Sequence, residues 1–147
     1  MDAHRIGGLV RAMAYLIDTN IIIYSLKQHE LVNQKFEDTK NIPKSISVVT
    51  YGELIYGARK SRHIEKNLAI SYRIAELFPI INTERSIMDV FGEIKRTLER
   101  KGNIIDDMDI LIAATALSYN LVLVTNDVNH FDRIKDLRIE NWAESNK

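Results

Sequence analysis

The 147-residue sequence predicts an α/β fold: a three-layer α/β/α sandwich around a mostly parallel sheet of roughly five strands. Three observations carry that reading. Short apolar or β-branched runs recur at Tyr15–Ile17, Ser45–Val49, Pro79–Ile81, Leu121–Val124 and Leu137–Trp142. Most of these runs are separated by segments of helical periodicity, long enough for the crossovers that parallel pairing needs. Finally, Ile110 to Leu117 has almost no polar face, which marks a helix buried against a sheet.

In chain order, residues 1–12 carry Arg5 and Arg11 but only scattered Ile6, Leu9 and Val10, which is no signal-peptide core. They read as an upstream start or a cloning remnant, expected to be disordered, with Met13 opening a single domain over residues 13–147. Tyr15-Leu16-Ile17 is too short for a helix and suits a buried strand. Asp18, Thr19 and Asn20 then end the strand and open a short helix to Leu26. Glu30–Asp38 forms a second helix before Asn41-Ile42-Pro43 stops it. Ser45–Val49 is the second strand, after which Thr50 and Glu53 match capping-box spacing for a helix that buries Leu54, Ile55 and Ala58.

Ile64–Leu77 is helical, with Leu68, Tyr72, Ala75 and Leu77 at roughly helical spacing, and Pro79–Ile81 is a third strand. Thr83 is expected to cap the clearest helix, where Ile87, Phe91, Ile94 and Leu98 form one face and Arg100 and Lys101 precede Gly102. Asp106-Asp107-Met108-Asp109 begins the buried helix. Leu121–Val124 is the fourth strand, ending at Thr125-Asn126-Asp127, and Leu137–Trp142 is a fifth strand at an edge.

Twenty basic and twenty acidic side chains cancel, so any nucleic-acid partner must be held by a local patch and not by the field of the whole molecule. The absence of cysteine excludes a disulfide framework and thiolate metal sites. The uncharged run from Ile110 to Asn126 is broken by Ser118-Tyr119-Asn120, so it is a helix and a strand and no membrane span. The expected setting is the cytoplasm.

In a parallel sheet the strand exits share one edge, where ligands of α/β proteins bind. Asp18 and Asp127 stand at two exits, Glu53 lies one helical turn beyond a third, and Asp109 sits in the first turn of the buried helix. Each has a local alternative: Asp18 and Asp127 as caps, Glu53 as half of a capping box, Asp109 as a partner of the helix dipole. Together they are costly, because carboxylates in one crevice repel one another and raise their own pKa values unless a cation joins them. Acids with no neighbouring histidine or cysteine suit a hard ion, Mg²⁺ or Mn²⁺, over Zn²⁺. The implied chemistry is phosphodiester hydrolysis. Thr19, Asn20, Thr125 and Asn126 either orient ligands and substrate or simply satisfy local turns.

Leu16-Ile17-Asp18-Thr19-Asn20, Gly52-Glu53-Leu54 with Gly57-Ala58, Asp109-Ile110-Leu111-Ile112-Ala113-Ala114 and Val124-Thr125-Asn126-Asp127 resemble, in order and spacing, the successive motifs of PIN-domain ribonucleases. The likeness is to the VapC toxin branch and runs from about Met13 to the Ile139-Glu140-Asn141-Trp142 ending. It implies a PIN-like fold in which Asp18, Glu53 and Asp109 are the core metal-binding and catalytic acids and Asp127 a more variable fourth. It also implies Mg²⁺- or Mn²⁺-dependent RNA cleavage, a homodimer, and inhibition by a cognate antitoxin. Asp106 and Asp107 are read as surface or capping residues.

Two basic groups are candidate RNA contacts: Arg59, Lys60, Arg62, His63 and Lys66, and Lys95, Arg96, Arg100 and Lys101. For both, a solvated turn or a helix end, where cations belong anyway, is the stronger reading. His29, His63 and His130 lack ligand spacing and are read as non-metal. The rival readings are a catalytically silent PIN-like module that binds RNA or protein, and a phosphohydrolase of the haloacid-dehalogenase type. The latter expects a second aspartate where this chain has Asn20.

Overall fold

A computed structural model describes residues 5–6, 9–10 and 14–145, with side chains from residue 14 onward. Of the expected extension, Arg5–Ile6 (β1) and Leu9–Val10 (β2) pair antiparallel, apart from the main sheet. The rest of residues 1–12, and Met13 as a domain start, lie outside the described residues.

The main sheet has five parallel strands in the order β5-β4-β3-β6-β7: β3 (Tyr15–Ile17), β4 (Lys44–Ser47), β5 (Ile80–Ile81), β6 (Val122–Val124) and β7 (Ile139–Glu140). Tyr15, Leu16 and Ile17 face Val122, Leu123 and Val124 across the central pair. Side chains alternate through the sheet. Leu16 and Leu123 enter one apolar cluster with Ile87, Ile94, Leu98, Ile110 and Phe131, while Ile17, Val122 and Val124 enter another with Ile21, Ile22, Ile46, Leu54 and Trp142. Both faces are therefore covered, which is why the central strands are apolar at every position.

Helices α1 (Thr19–Leu26), α2 (Glu30–Asp38), α3 (Val48–Arg59) and α4 (Ile64–Leu77) supply the second cluster, and α5 (Arg85–Arg100), α6 (Asp107–Ser118) and the one-turn α7 (Val128–Phe131) the first. Helix α6 buries Ile110 and every residue from Ile112 to Ala116, as its missing polar face requires. Among the described residues no helix is long and apolar enough to cross a membrane.

Three local expectations change. Helix α3 starts at Val48 and its cap is Ser47, whose hydroxyl accepts from the Val49 N–H at 3.0 Å. Thr50 is consequently inside the helix, and the Thr50–Glu53 capping box does not form. Glu84, not Thr83, occupies the cap position of α5, without a side-chain bond. In α4 the buried residues are Ser71 and Ile74, whereas Tyr72 and Leu77 are exposed; the inward face is offset by one position, and the buried Ser71 hydroxyl is satisfied by the Asn67 carbonyl at 3.0 Å.

Candidate active site

The sheet order places the connection reversal between β3 and β6. The chain passes from β3 outward to β4 and β5, then returns across β3 to β6 and β7. The crevice beyond that switch point is the expected ligand site of such a sheet. Asp18 leaves β3 there, and Thr125-Asn126-Asp127 leave β6 beside it, with Asp18 N–H bonded to Val124 O at 2.9 Å.

Asp18 is both a cap and a crevice residue. Its Oδ1 accepts from the Thr19 N–H at 2.8 Å, and its Oδ2 accepts from Thr125 Oγ1 at 2.7 Å. Only 5% of it is exposed. Burial pushes its carboxyl up to about 6, opposed by hydrogen bonds from Thr125 and Thr19 and reinforced by the charges of Asp109 and Glu53. Glu53 is also raised, first by burial and then by Asp109 and Asp106, against the hydrogen bond from Thr19. Asp109 is raised by burial and by Asp106 and Asp127, while His130 pulls it down. The three acids therefore share one field.

The polar residues between them form a connected scaffold. Thr19 Oγ1 donates to Glu53 Oε1 at 2.5 Å and lies 3.1 Å from Thr50 Oγ1, so Thr50 is the donor in the second contact. Asn20 Nδ2 donates to Asp127 Oδ2 at 3.1 Å and approaches Asp18 Oδ2 at 3.4 Å, while its Oδ1 accepts from the Asn126 N–H at 3.1 Å. Thr125 Oγ1, having given its proton to Asp18, accepts from the Asp127 N–H at 3.0 Å. All eight residues singled out from the sequence thus belong to this one network or adjoin it.

Four further residues join that the sequence reading did not single out for the site. Thr50 is the first, and its capping-box spacing hid it. His130 Nδ1 stands 3.1 Å from Asp109 Oδ2, one turn of α7 beyond Asp127, although 21 residues separate the pair. No sequence spacing signals this contact, because it joins α7 to α6. Tyr24 Oη accepts from Asn126 Nδ2 at 3.0 Å, and Asn141 Nδ2 donates to Asn126 Oδ1 at 3.2 Å while Asn141 Oδ1 receives the Ala143 N–H at 2.9 Å. The C-terminal turn thereby holds the loop carrying Asp127. Asn141→Ala is expected to lower stability by about 1–2 kcal/mol, read from the midpoint of denaturant unfolding; an unchanged midpoint would mean the turn holds nothing.

His29 caps α2, accepting from the Val32 N–H, and His63 occupies the cap position of α4. Asp106 caps α6 and Asp107 pairs with Lys95 at 3.0 Å, as surface and capping roles require. Arg96 approaches Glu99 at 3.6 Å, so the second basic group is partly neutralised.

The PIN domain family model matches residues 15–137, which covers all four acids. The chain belongs to the PIN-domain family, in its VapC branch. It is 37% identical over 132 residues to Ribonuclease VapC2 of Haemophilus influenzae, covering 89% of this chain and 99% of that protein. It is 33% identical to the tRNA(fMet)-specific endonuclease VapC of Shigella flexneri over 132 residues, 89% of this chain and 99% of the relative. Its fold matches the crystal structure of VapBC2 from Rickettsia felis bound to a promoter DNA fragment, with a TM-score of 0.82 and 36% identity over 88% of this chain and 99% of that one.

PIN-domain VapC nucleases are generally metal-dependent. Among the described residues no three Asp, Glu, His or Cys side chains form a ready-made metal cage. The donor set nevertheless fits Mg²⁺ or Mn²⁺: it is all oxygen, and Mg²⁺ keeps several waters and takes only one or two carboxylates directly. Burial first, and repulsion from neighbouring acids second, raises Asp18, Glu53 and Asp109 in this PIN site, and a cation offsets both by favouring the ionised carboxylates.

Proposed function

We propose that this chain is a Mg²⁺- or Mn²⁺-dependent endoribonuclease, the toxin of a toxin–antitoxin pair, with Asp18, Glu53, Asp109 and Asp127 as its metal-binding and catalytic acids. The observation that carries the assignment is the electrostatic convergence of Asp18, Glu53 and Asp109 at the sheet's switch point. When bound, the ion supplies an acidified water and a counter-charge for the in-line phosphodiester transition state. The chain's own residues do the rest. Thr19 fixes the Glu53 carboxylate, Thr125 fixes Asp18, Asn20 ties Asp127 to Asp18, and the buried floor of β3 and β6 limits water around Asp18. Neutral hydroxyl and amide donors hold these carboxylates without supplying a charge, which leaves the site's net negative field for a cation.

The same reading includes RNA as substrate, a cognate antitoxin, a homodimer and a cytoplasmic setting. The antitoxin is supported by the VapBC complexes among the structural neighbours. The test is incubation of the purified protein with total cellular RNA and Mg²⁺, followed by mapping of new ends. Cleavage is expected with the parent, and neither with chelator nor with Asp109→Asn, which should remain folded by circular dichroism. Full cutting by Asp109→Asn would remove that acid from the site. A parent that binds RNA but cuts none would establish the silent module instead.

A further inference from the structure

The outward face of α3 carries residues that the acid cluster leaves unused. Glu53, Tyr56 and Lys60 follow at spacings of three and four, so they line one side of the helix. Tyr56 is 65% exposed, and Lys60 Nζ lies over its ring, 4.9 Å from the centroid. A cation thus covers one face of the ring, while most of the side chain remains exposed. Gly52 and Gly57 flank it, and a Cβ at either would meet nothing within 4 Å. Glycine inside a helix costs about 1 kcal/mol relative to alanine, and no packing among the described residues requires it here.

The cations beyond Tyr56 are also unspent. Arg59, Lys60, Arg62 and Lys66 share their stretch with a single acid, Glu65, and none of the four pairs with a described acidic side chain. An exposed aromatic face followed by unneutralised cations is the composition of a single-stranded nucleic-acid track. Tyr56 lies about 4.5 Å along the helix axis from Glu53, within reach of a nucleotide next to a phosphate at the acids.

We propose that Tyr56 and Lys60 form a nucleotide subsite for single-stranded RNA, in which an unpaired base stacks on the exposed ring of Tyr56 and the adjoining phosphates contact Lys60, Arg59 and Arg62. The subsite deepens the ribonuclease reading and rests on it for its ligand. It gives affinity and position with little sequence choice, since every base has a stackable face.

The test is fluorescence anisotropy of a labelled, unstructured oligoribonucleotide, measured on the full chain in chelator so that no cutting intervenes. Tyr56→Ala is expected to weaken binding on the order of tenfold, and Tyr56→Trp to restore it. Lys60→Ala is expected to reduce the slope of affinity against salt by about one. An abasic nucleotide should weaken the parent but not Tyr56→Ala. In cleavage assays Tyr56→Ala should raise KM more than it lowers kcat. Unchanged affinity and KM in Tyr56→Ala, with the parent cutting RNA normally, would overturn the subsite and leave the ribonuclease reading intact. Unchanged affinity with an altered mass in light scattering would make this face a contact between copies, and also overturn it. A parent that cuts nothing, yet binds RNA through Tyr56, would keep the subsite and sink the ribonuclease reading.

Discussion

Asp18→Asn is expected to abolish RNA cleavage while making the metal-free protein more stable. The activity loss, roughly a thousandfold or more, follows from removing the most buried carboxylate of the cluster. The stability gain follows from its pKa. Burial raises the carboxyl from 3.8 to about 6, so the folded state binds the proton more tightly than the unfolded state. Metal-free stability is therefore greatest below the unfolded value and is lost as pH rises through about 6. A displacement of that size corresponds to about 3 kcal/mol. Asparagine keeps the acceptor for the Thr19 N–H but loses the one that Thr125 uses, so the net gain at pH 7 is expected to be on the order of 1–2 kcal/mol. Thermal unfolding in chelator should show a variant that melts several degrees higher, and a parent that loses stability between pH 4 and 7. Adding Mn²⁺ should reverse the ranking, because only the parent retains the full ligand set. A fully active variant would remove Asp18 from the site; a lower metal-free melt would mean that its ionised form costs nothing.

Trp142→Ala is expected to cost about 3–5 kcal/mol of stability. Trp142 is 1% exposed and packs edge-on against Tyr15 and Phe36, with ring centroids 5.1 Å apart in each case and interplanar angles of 78° and 88°. Its Nε1 donates to Glu140 Oε1 at 2.9 Å. Truncation would empty the space between β3 and α2 and free the turn that holds Asn141, and through it Asn126. The melting temperature should fall by about 10 °C, with Trp142→Phe recovering much of the loss. Circular dichroism is the suitable probe, since Trp142 is the chain's only tryptophan. An alanine variant that melts with the parent would show the ring to be dispensable.

The elements most legible in the sequence were those whose signal is local. Thr19–Leu26 and Glu30–Asp38 form the expected helices, the first opened by Asp18 and the second stopped before Pro43, and the apolar run at Ile110 is buried. The start of α3 was not legible. Val48 and Val49 are β-branched and favour a strand in isolation, but Ser47 caps the helix and draws both into its first turn. Thr50 is thereby inside the helix, where its hydroxyl meets Thr19 and not a helix terminus. His130 was illegible as a site residue for another reason: its contact with Asp109 joins α7 to α6, and no spacing rule connects them.

By itself the sequence determined the apolar runs, and with them which residues stand where strands end and helices begin; Asp18, Asp109 and Asp127 are placed by that pattern, whereas Glu53 falls in the second turn of α3 because that helix starts at Val48. Hydrophobic periodicity needs only neighbours along the chain, so it can be read without a fold. Tertiary structure alone decided the strand order, which sets β6 beside β3 and so brings Thr125 and Asp127 to Asp18. It also decided the raised carboxyl of Asp18, because burial and repulsion depend on distance through space and not on position in the chain.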